Sequence, residues 1–389
     1  MAAAEAIVVG AGPAGLAAAQ RFKSSGLRPV ILEKSNEVGA AWRRHYDRLH
    51  LHTPRRHSGL PGMAIPRSAG RYPARAQFVE YLDSYAKTFN LQPNFGANVG
   101  AIRKTDSGWA VETATETLTS PIVVVATGWA DFPHMPKWPG MDAYKGSVLH
   151  SSTYKSAAPF RGGRVLVVGF GNSGAEIALD LAEQGVDVTL SQRSPIRVLP
   201  RDLLGVPILD FALLQRFLPA KVADALNAPV MRLAVGSLEK LGFKTSPKGA
   251  MQMIEEDQRI PVLDIGALAA IRRGKIQVRG AIESFTSAGV KFAQGAEEGF
   301  DAVILATGFK PDLRSLLPDA ATVLDAQGRP RVSDRATAEP GLYFVGALAS
   351  PTGQLREIRL GATRVAATAA KFLADERGFS TRPSLSPAE

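Results

Sequence analysis

Ile7-Val8-Val9-Gly10-Ala11-Gly12-Pro13-Ala14-Gly15, near the start of the chain, is echoed by Leu166-Val167-Val168-Gly169-Phe170-Gly171-Asn172-Ser173-Gly174 near its middle. Each stretch is a short β-branched run that enters a glycine-rich turn. An alanine-rich helical pattern follows each turn, over residues 13–25 and 173–184, and a second apolar run follows each helix, over 29–32 and 187–190. Strand, helix and parallel strand, twice over, predict an α/β fold of two nested, Rossmann-like dinucleotide-binding domains. Further buried strands are expected at 122–125, 302–305 and 342–345. Helices are expected at 77–89 and 357–374, with irregular helices across 203–260. From Phe379 onward the chain is rich in Ser and Pro, a composition expected to be disordered.

The chemistry of the turns follows from their glycines. Gly10 permits the tight turn and Gly12 lets the backbone approach a pyrophosphate. Gly15 lets the helix opened by Pro13 and Ala14 pack close to its strand, with its N-terminus toward the phosphates. Glu33, at the end of the next strand, is placed to accept ribose hydroxyls. The second turn, with Gly169, Gly171, Asn172, Ser173 and Gly174, meets the same conditions except one. Its strand ends in Ser191-Gln192-Arg193, so a hydroxyl and a guanidinium stand where the acid stood. That favours a 2′-phosphate, and hence NADPH over NADH. One charge-assisted contact contributes about 1.5–3 kcal/mol, a preference of roughly 10–150-fold for Arg193. Two copies of Ala-Thr-Gly, at Ala126-Thr127-Gly128 and Ala306-Thr307-Gly308, each follow an apolar strand and read as crossings between domains. The inserted domain then spans residues 160–299, and the outer one residues 1–159 and 300–389.

Composition removes several functions. The 389-residue chain has no cysteine, so disulfides, thiolate metal sites, Fe–S clusters and dithiol redox chemistry are closed to it. A reducing compartment is consistent with this, and the cytoplasm is the expected location. The first residues lack the basic and apolar regions of a signal peptide, and no apolar run approaches the roughly 18 residues of a membrane span. The formal charge is +10. Without a recognition helix or base-stacking module, it points to solvated surface and attraction for anionic cofactors and substrates, not to nucleic acid. Residues 43–75 concentrate eight arginines and four of the six histidines. His45, His50, His52 and His57 match no tetrahedral spacing, so no metal is expected. Arg48, Arg55 and Arg56 are open to a substrate carboxylate, a pyrophosphate or solvent.

Many flavin reductases carry Gly-Asp after the last strand, where this chain has Gly346-Ala347. At residues 144–154 the order Tyr144, Gly146, His150, Tyr154 is similar to the signature of the flavin-containing monooxygenases, with Tyr in place of the usual first Phe. Baeyer–Villiger monooxygenases resemble this pattern but carry Trp at the final aromatic position. By its chemistry alone His150 reads as a structural histidine and not as a proton donor. Within the family the chain resembles the YUCCA-like branch over nearly its whole length. The matching stretches include Glu37-Val38-Gly39-Ala40-Ala41-Trp42, Arg48-Leu49-His50-Leu51-His52, Val198-Leu199-Pro200-Arg201 and Pro261-Val262-Leu263-Asp264.

That resemblance implies FAD in the outer domain, NADPH in the inserted domain, and oxidative decarboxylation of an aryl-pyruvate such as indole-3-pyruvate to indole-3-acetate. NADPH would reduce the flavin, molecular oxygen would add at C4a, and the peroxyflavin would attack the keto carbon with loss of carbon dioxide. The resemblance also implies Lys34, Trp42, His52, Val99 and Thr127 beside the FAD residues named above, and Thr307 beside those for NADPH. N- and S-oxygenating relatives place an asparagine near the flavin. His52 holds that position here, as in the YUCCA-like branch, and is the candidate catalytic residue. Oxygenation of a soft nitrogen or sulfur centre is the second expectation, and a redox-sensing nucleic-acid-binding protein a remote third.

Overall fold

The two β-branched runs become the central strands of two parallel sheets. The computed structural model describes residues 4–130, 132–295 and 297–380. The chain opens with β1 (Ala6–Val9), α1 (Pro13–Ser24) and β2 (Pro29–Glu33), then adds β3 (Pro93–Phe95) and β4 (Val123–Val125). It continues through β5 (Ser147–His150), β6 (Arg164–Val168), α2 (Asn172–Glu183) and β7 (Asp187–Ser191). Helices α3 (Ile208–Leu214), α4 (Ala220–Val235) and α5 (Ala250–Asp257) occupy the segment expected to be irregularly helical. Strands β8 (Ile276–Arg279), β9 (Ala302–Leu305) and β10 (Leu342–Phe344) precede the closing helix α6 (Gln354–Ser380).

The strand orders are β10-β4-β1-β2-β3 and β8-β7-β6-β9-β5, parallel throughout. β1 and β6 lie at the centre and are covered on both faces, which is why they read as unbroken apolar runs. Leu16, Ala17 and Phe22 of α1 pack with α6 on one face of the first sheet. Its other face is covered by the antiparallel strands of residues 99–120 and by Leu313, Leu317 and Val323. On the second sheet, α2 covers one face, and Phe285, Phe292 and Phe300 the other.

Two expectations need correction. β5 and β9 both pair within the second sheet, so that sheet gathers residues 147–305 and outreaches the expected limits of 160 and 299 at both ends. β5 is a four-residue edge strand, mostly part-exposed, and such a strand leaves little hydrophobic signal to read. The Ala-Thr-Gly copies, however, do stand where the chain leaves each sheet, after β4 and after β9. Between the sheets the two crossings run antiparallel, with His134 N–H donating to Gly308 O at 2.9 Å and Lys310 N–H to Phe132 O at 2.8 Å. The second correction concerns the tail. Phe379 and Ser380 still belong to α6, and the rest of the segment expected to be disordered lies outside the described residues.

Candidate active site

The first turn is built by close approach. Gly10 has φ +108°, and a Cβ there would stand 2.6 Å from the Ala126 carbonyl oxygen; a Cβ on Gly15 would overlap the Gly10 carbonyl. Gly12 is different, because a Cβ there would meet nothing within 4 Å. Its open side faces the N-terminus of α1, which no side chain caps. Glu33, 8% exposed, is fixed at the same turn. Its carboxylate accepts Ala11 N–H at 2.6 Å, and Ser35 N–H and O–H at 2.9 and 2.7 Å. The Ala97 amide bonds the Glu33 carbonyl, which brings the segment leading to half-buried Val99 beside that carboxylate. Lys34 is exposed, Thr127 half-buried, and Trp42 packs edge-on against Phe78 at 4.5 Å.

The second turn repeats this construction. Gly169 has φ +104°, and a Cβ there would stand 2.6 Å from the Ala306 carbonyl oxygen; a Cβ on Gly174 would overlap the Gly169 carbonyl, and Gly171 opens onto unfilled space before the uncapped start of α2. The strand end departs from expectation. Gln192 Oε1 accepts Phe170 N–H at 2.7 Å, the bond that Glu33 makes with Ala11, so Gln192 and not Ser191 is the counterpart of the acid. Ser191 is buried, and its hydroxyl donates to Gly280 O at 2.8 Å. Asn172 is also engaged, clamping the backbone of Pro261 and Leu263. Arg193 is exposed at the rim of a cavity of about 400 Å³ that is also lined by Gly171, Gln192, Arg197, Arg259 and Thr307. The Thr307 hydroxyl donates to His134 O. Burial, with Lys310 and Arg193 nearby, holds the His134 imidazole below its ordinary value. The cavity is a basic one, suited to an anion.

Residues 43–75 prove to be a seam between the two units. Arg48 pairs with Glu183 and Asp180, Arg56 and His57 with Asp210, and Arg71 and Tyr72 with Asp202. Arg55 bonds the carbonyls of Gly70 and Ile65. Arg48, Arg55 and Arg56 are therefore committed to protein partners; Arg48, Arg56 and Arg71 meet acids more than a hundred residues away, while Arg43 and Arg75 meet Asp83 and Asp47.

His52 lies in this seam. Its Nε2 bonds Oε1 of Glu176, a carboxylate on α2 that is only 1% exposed. The other oxygen, Oε2, has no hydrogen-bond partner among the described residues. Tyr46 adjoins the pair, and burial, reinforced by the Glu176 charge, pushes its phenol well up. Sequence reading missed Glu176 and Gln192. Glu176, Asp180 and Glu183 recur at helical spacing on α2, a signal that an acidic face awaited basic partners.

The signature residues are structural. A Cβ on Gly146 would overlap the Tyr144 hydroxyl, which donates to Phe300 O at 2.7 Å. Tyr154 is buried and donates to Asp180 at 2.6 Å. His150 Nδ1 accepts Ser152 N–H at 3.1 Å, so the ring is the neutral Nε2–H tautomer that donates to Gly308 O. Burial holds His150 below its ordinary value of 6.5, and burial plus Lys155 does the same for His45. Unfolded, both rings take up protons first as the pH falls. Their contribution to stability is complete above about pH 6.5 and is lost as the pH drops from there toward the folded values. His150→Gln should flatten the fall in melting temperature between about pH 7 and 5; an unchanged slope would remove His150 from the effect.

No described helix is long and apolar enough to cross a membrane. Residues 7–201, which carry both turns, match the family described as pyridine nucleotide-disulphide oxidoreductase. The chain is 38% identical over 348 residues to indole-3-pyruvate monooxygenase YUCCA1 of Oryza sativa subsp. japonica, covering 88% of this chain and 86% of that protein. It is 37% identical over 346 residues to probable indole-3-pyruvate monooxygenase YUCCA4 of Arabidopsis thaliana, covering 87% and 84%. A flavin-containing monooxygenase from Stenotrophomonas maltophilia superposes with a TM-score of 0.73 at 25% identity, over 96% of this chain and all of that one. Two glycine turns built alike, joined by a seam of ion pairs and matched along nearly the whole chain, place this protein in the YUCCA family of flavin monooxygenases.

Proposed function

We propose that the enzyme uses FAD, NADPH and molecular oxygen to decarboxylate an aromatic 2-oxo acid oxidatively, with indole-3-pyruvate the substrate its relatives indicate. The observation that carries this reading is the repeated turn, once with a carboxylate and once with Gln192 and Arg193 at the strand end. In balance, 2-oxo acid, oxygen, NADPH and a proton give the shortened acid, carbon dioxide, water and NADP⁺. We assign it to the cytoplasm.

The residues fit both groups. Gly12 and Gly171 each leave room for a phosphate against free helix N–H groups. Around FAD we place Gly10, Pro13, Ala14, Gly15, Glu33, Lys34, Trp42, His52, Val99 and Thr127, with Glu33 accepting the ribose hydroxyls. Around NADPH we place Gly169, Gly174, Ser173, Gln192, Arg193 and Thr307. Bound FAD supplies the redox chemistry, taking hydride from NADPH and activating oxygen. The chain's own part is to position these partners and keep water away. His52, its ring held by Glu176, is the residue we place beside the flavin.

The test measures NADPH oxidation, carbon dioxide and hydrogen peroxide together. With indole-3-pyruvate, carbon dioxide should match NADPH and peroxide should stay low. Peroxide equal to NADPH with every 2-oxo acid would overturn the reading, and coupling to amines or thioethers alone would shift it to N- or S-oxygenation. Arg193→Ala should raise the KM for NADPH roughly 10–150-fold and leave that for NADH nearly unchanged. Equal changes for both would remove Arg193 from the 2′-phosphate site.

A further inference from the structure

Nine of the twelve exposed large apolar side chains among the described residues fall between positions 204 and 233. The densest group lies on α3 and α4. Leu214 is 80% exposed, Phe217 81% and Leu233 89%, and Val222 and Leu226 continue the stripe. Val222, Leu226 and Leu233 share one face of α4 at helical spacing. The opposite side of α4 is held inward, since Val235 is buried and Asp224 accepts the Met251 and Gln252 amides at the start of α5. A reciprocal amide pair, Gln215 with Asn227, ties the end of α3 to the middle of α4. The apolar side chains therefore form one outward surface.

The exposed charges that this segment itself contributes are cations, and Glu256 of α5 lies near Lys221. Arg216, Lys221 and Arg232 are exposed there, and the Arg216 guanidinium lies 4.3 Å from the Phe217 ring centre. The only acids between 204 and 235 are Asp210, paired with Arg56 and His57, and Asp224, spent on α5. Contiguous exposed apolar surface of this kind marks an interaction site. Apolar side chains rimmed by cations suit a surface that offers hydrocarbon beneath anionic groups.

We propose that this face docks peripherally on an anionic lipid surface. Phe217, Leu214 and Leu233 enter the boundary between headgroups and acyl chains, while Lys221 and Arg232 meet the phosphates. Leu209 of α3 and Thr53, the neighbour of His52, both pack around Gly353, so α3 adjoins the segment that carries His52.

The experiment is flotation of the FAD-loaded full chain with vesicles of phosphatidylcholine, with and without phosphatidylglycerol. The chain should float with the phosphatidylglycerol vesicles, float poorly with phosphatidylcholine alone, and be released by salt. Lys221→Gln with Arg232→Gln should lower partitioning about thirtyfold. Phe217→Ser with Leu233→Ser should abolish it while leaving melting temperature and turnover in solution unchanged. Failure to float with anionic vesicles would overturn the proposal. So would a dimer seen by light scattering and split by Phe217→Ser with Leu233→Ser in the absence of vesicle binding, which would assign the face to a second copy.

Discussion

Gly12→Val is expected to purify as a folded but colourless protein. Gly12 has φ −79° and ψ −175°, backbone that any residue adopts, and its Cβ direction meets no protein atom within 4 Å. The fold therefore has no reason to object to valine. A bound pyrophosphate does, because the isopropyl group fills the approach to the α1 amides. Loss of two charge-assisted bonds at about 1.5–3 kcal/mol each weakens FAD binding by at least about 100-fold. Circular dichroism should match the wild-type apoprotein while flavin absorbance is absent. Gly15→Ala supplies the contrast, since its methyl overlaps the Gly10 carbonyl and should damage folding itself. A yellow Gly12→Val protein with full flavin content would show that this turn is not the FAD site.

Glu176→Ala should lower both stability and coupling. Its carboxylate is buried against His52 and Tyr46, and removing one partner of a buried hydrogen bond costs about 1–3 kcal/mol. Freed from its partner, the His52 ring loses its orientation at the proposed reacting edge. NADPH should then drain to hydrogen peroxide while its KM changes little, because the cavity at Arg193 is untouched. Glu176→Gln keeps the volume and an acceptor, so it should recover much of the stability. A variant with wild-type melting and wild-type peroxide output would show that the pair serves neither purpose. Lost stability with unchanged coupling would reduce it to a domain clamp and remove His52 from the chemistry.

Much of the site was legible because its signals are local. A β-branched run, three glycines and a terminal acid all act within about thirty residues, through backbone geometry that the side chains beside it dictate. Ala302–Leu305 was readable for a similar reason: a strand covered on both faces must be apolar throughout. Ser147–His150 was not, since an edge strand of four residues carries no such requirement. The strand end of the second turn misled by one position. Ser191, Gln192 and Arg193 all looked available, and only the bond from Phe170 N–H to Gln192 shows which side chain turns toward the glycines.

The sequence by itself determined the two nested dinucleotide folds and the closure of thiol chemistry by the absence of cysteine. The tertiary structure alone decided the partners. His52 meets Glu176 across 124 residues and Arg48 meets Glu183 across 135, pairings that the order of the chain does not reveal. It also decided which way α4 faces. An apolar helical stripe has the same spacing whether it turns to the core or to the outside, and only the burial of Val235 with the Asp224 cap on α5 turns Leu226 and Leu233 outward. Backbone turns are set by neighbours in the chain, whereas charge pairing and burial are set by neighbours in space.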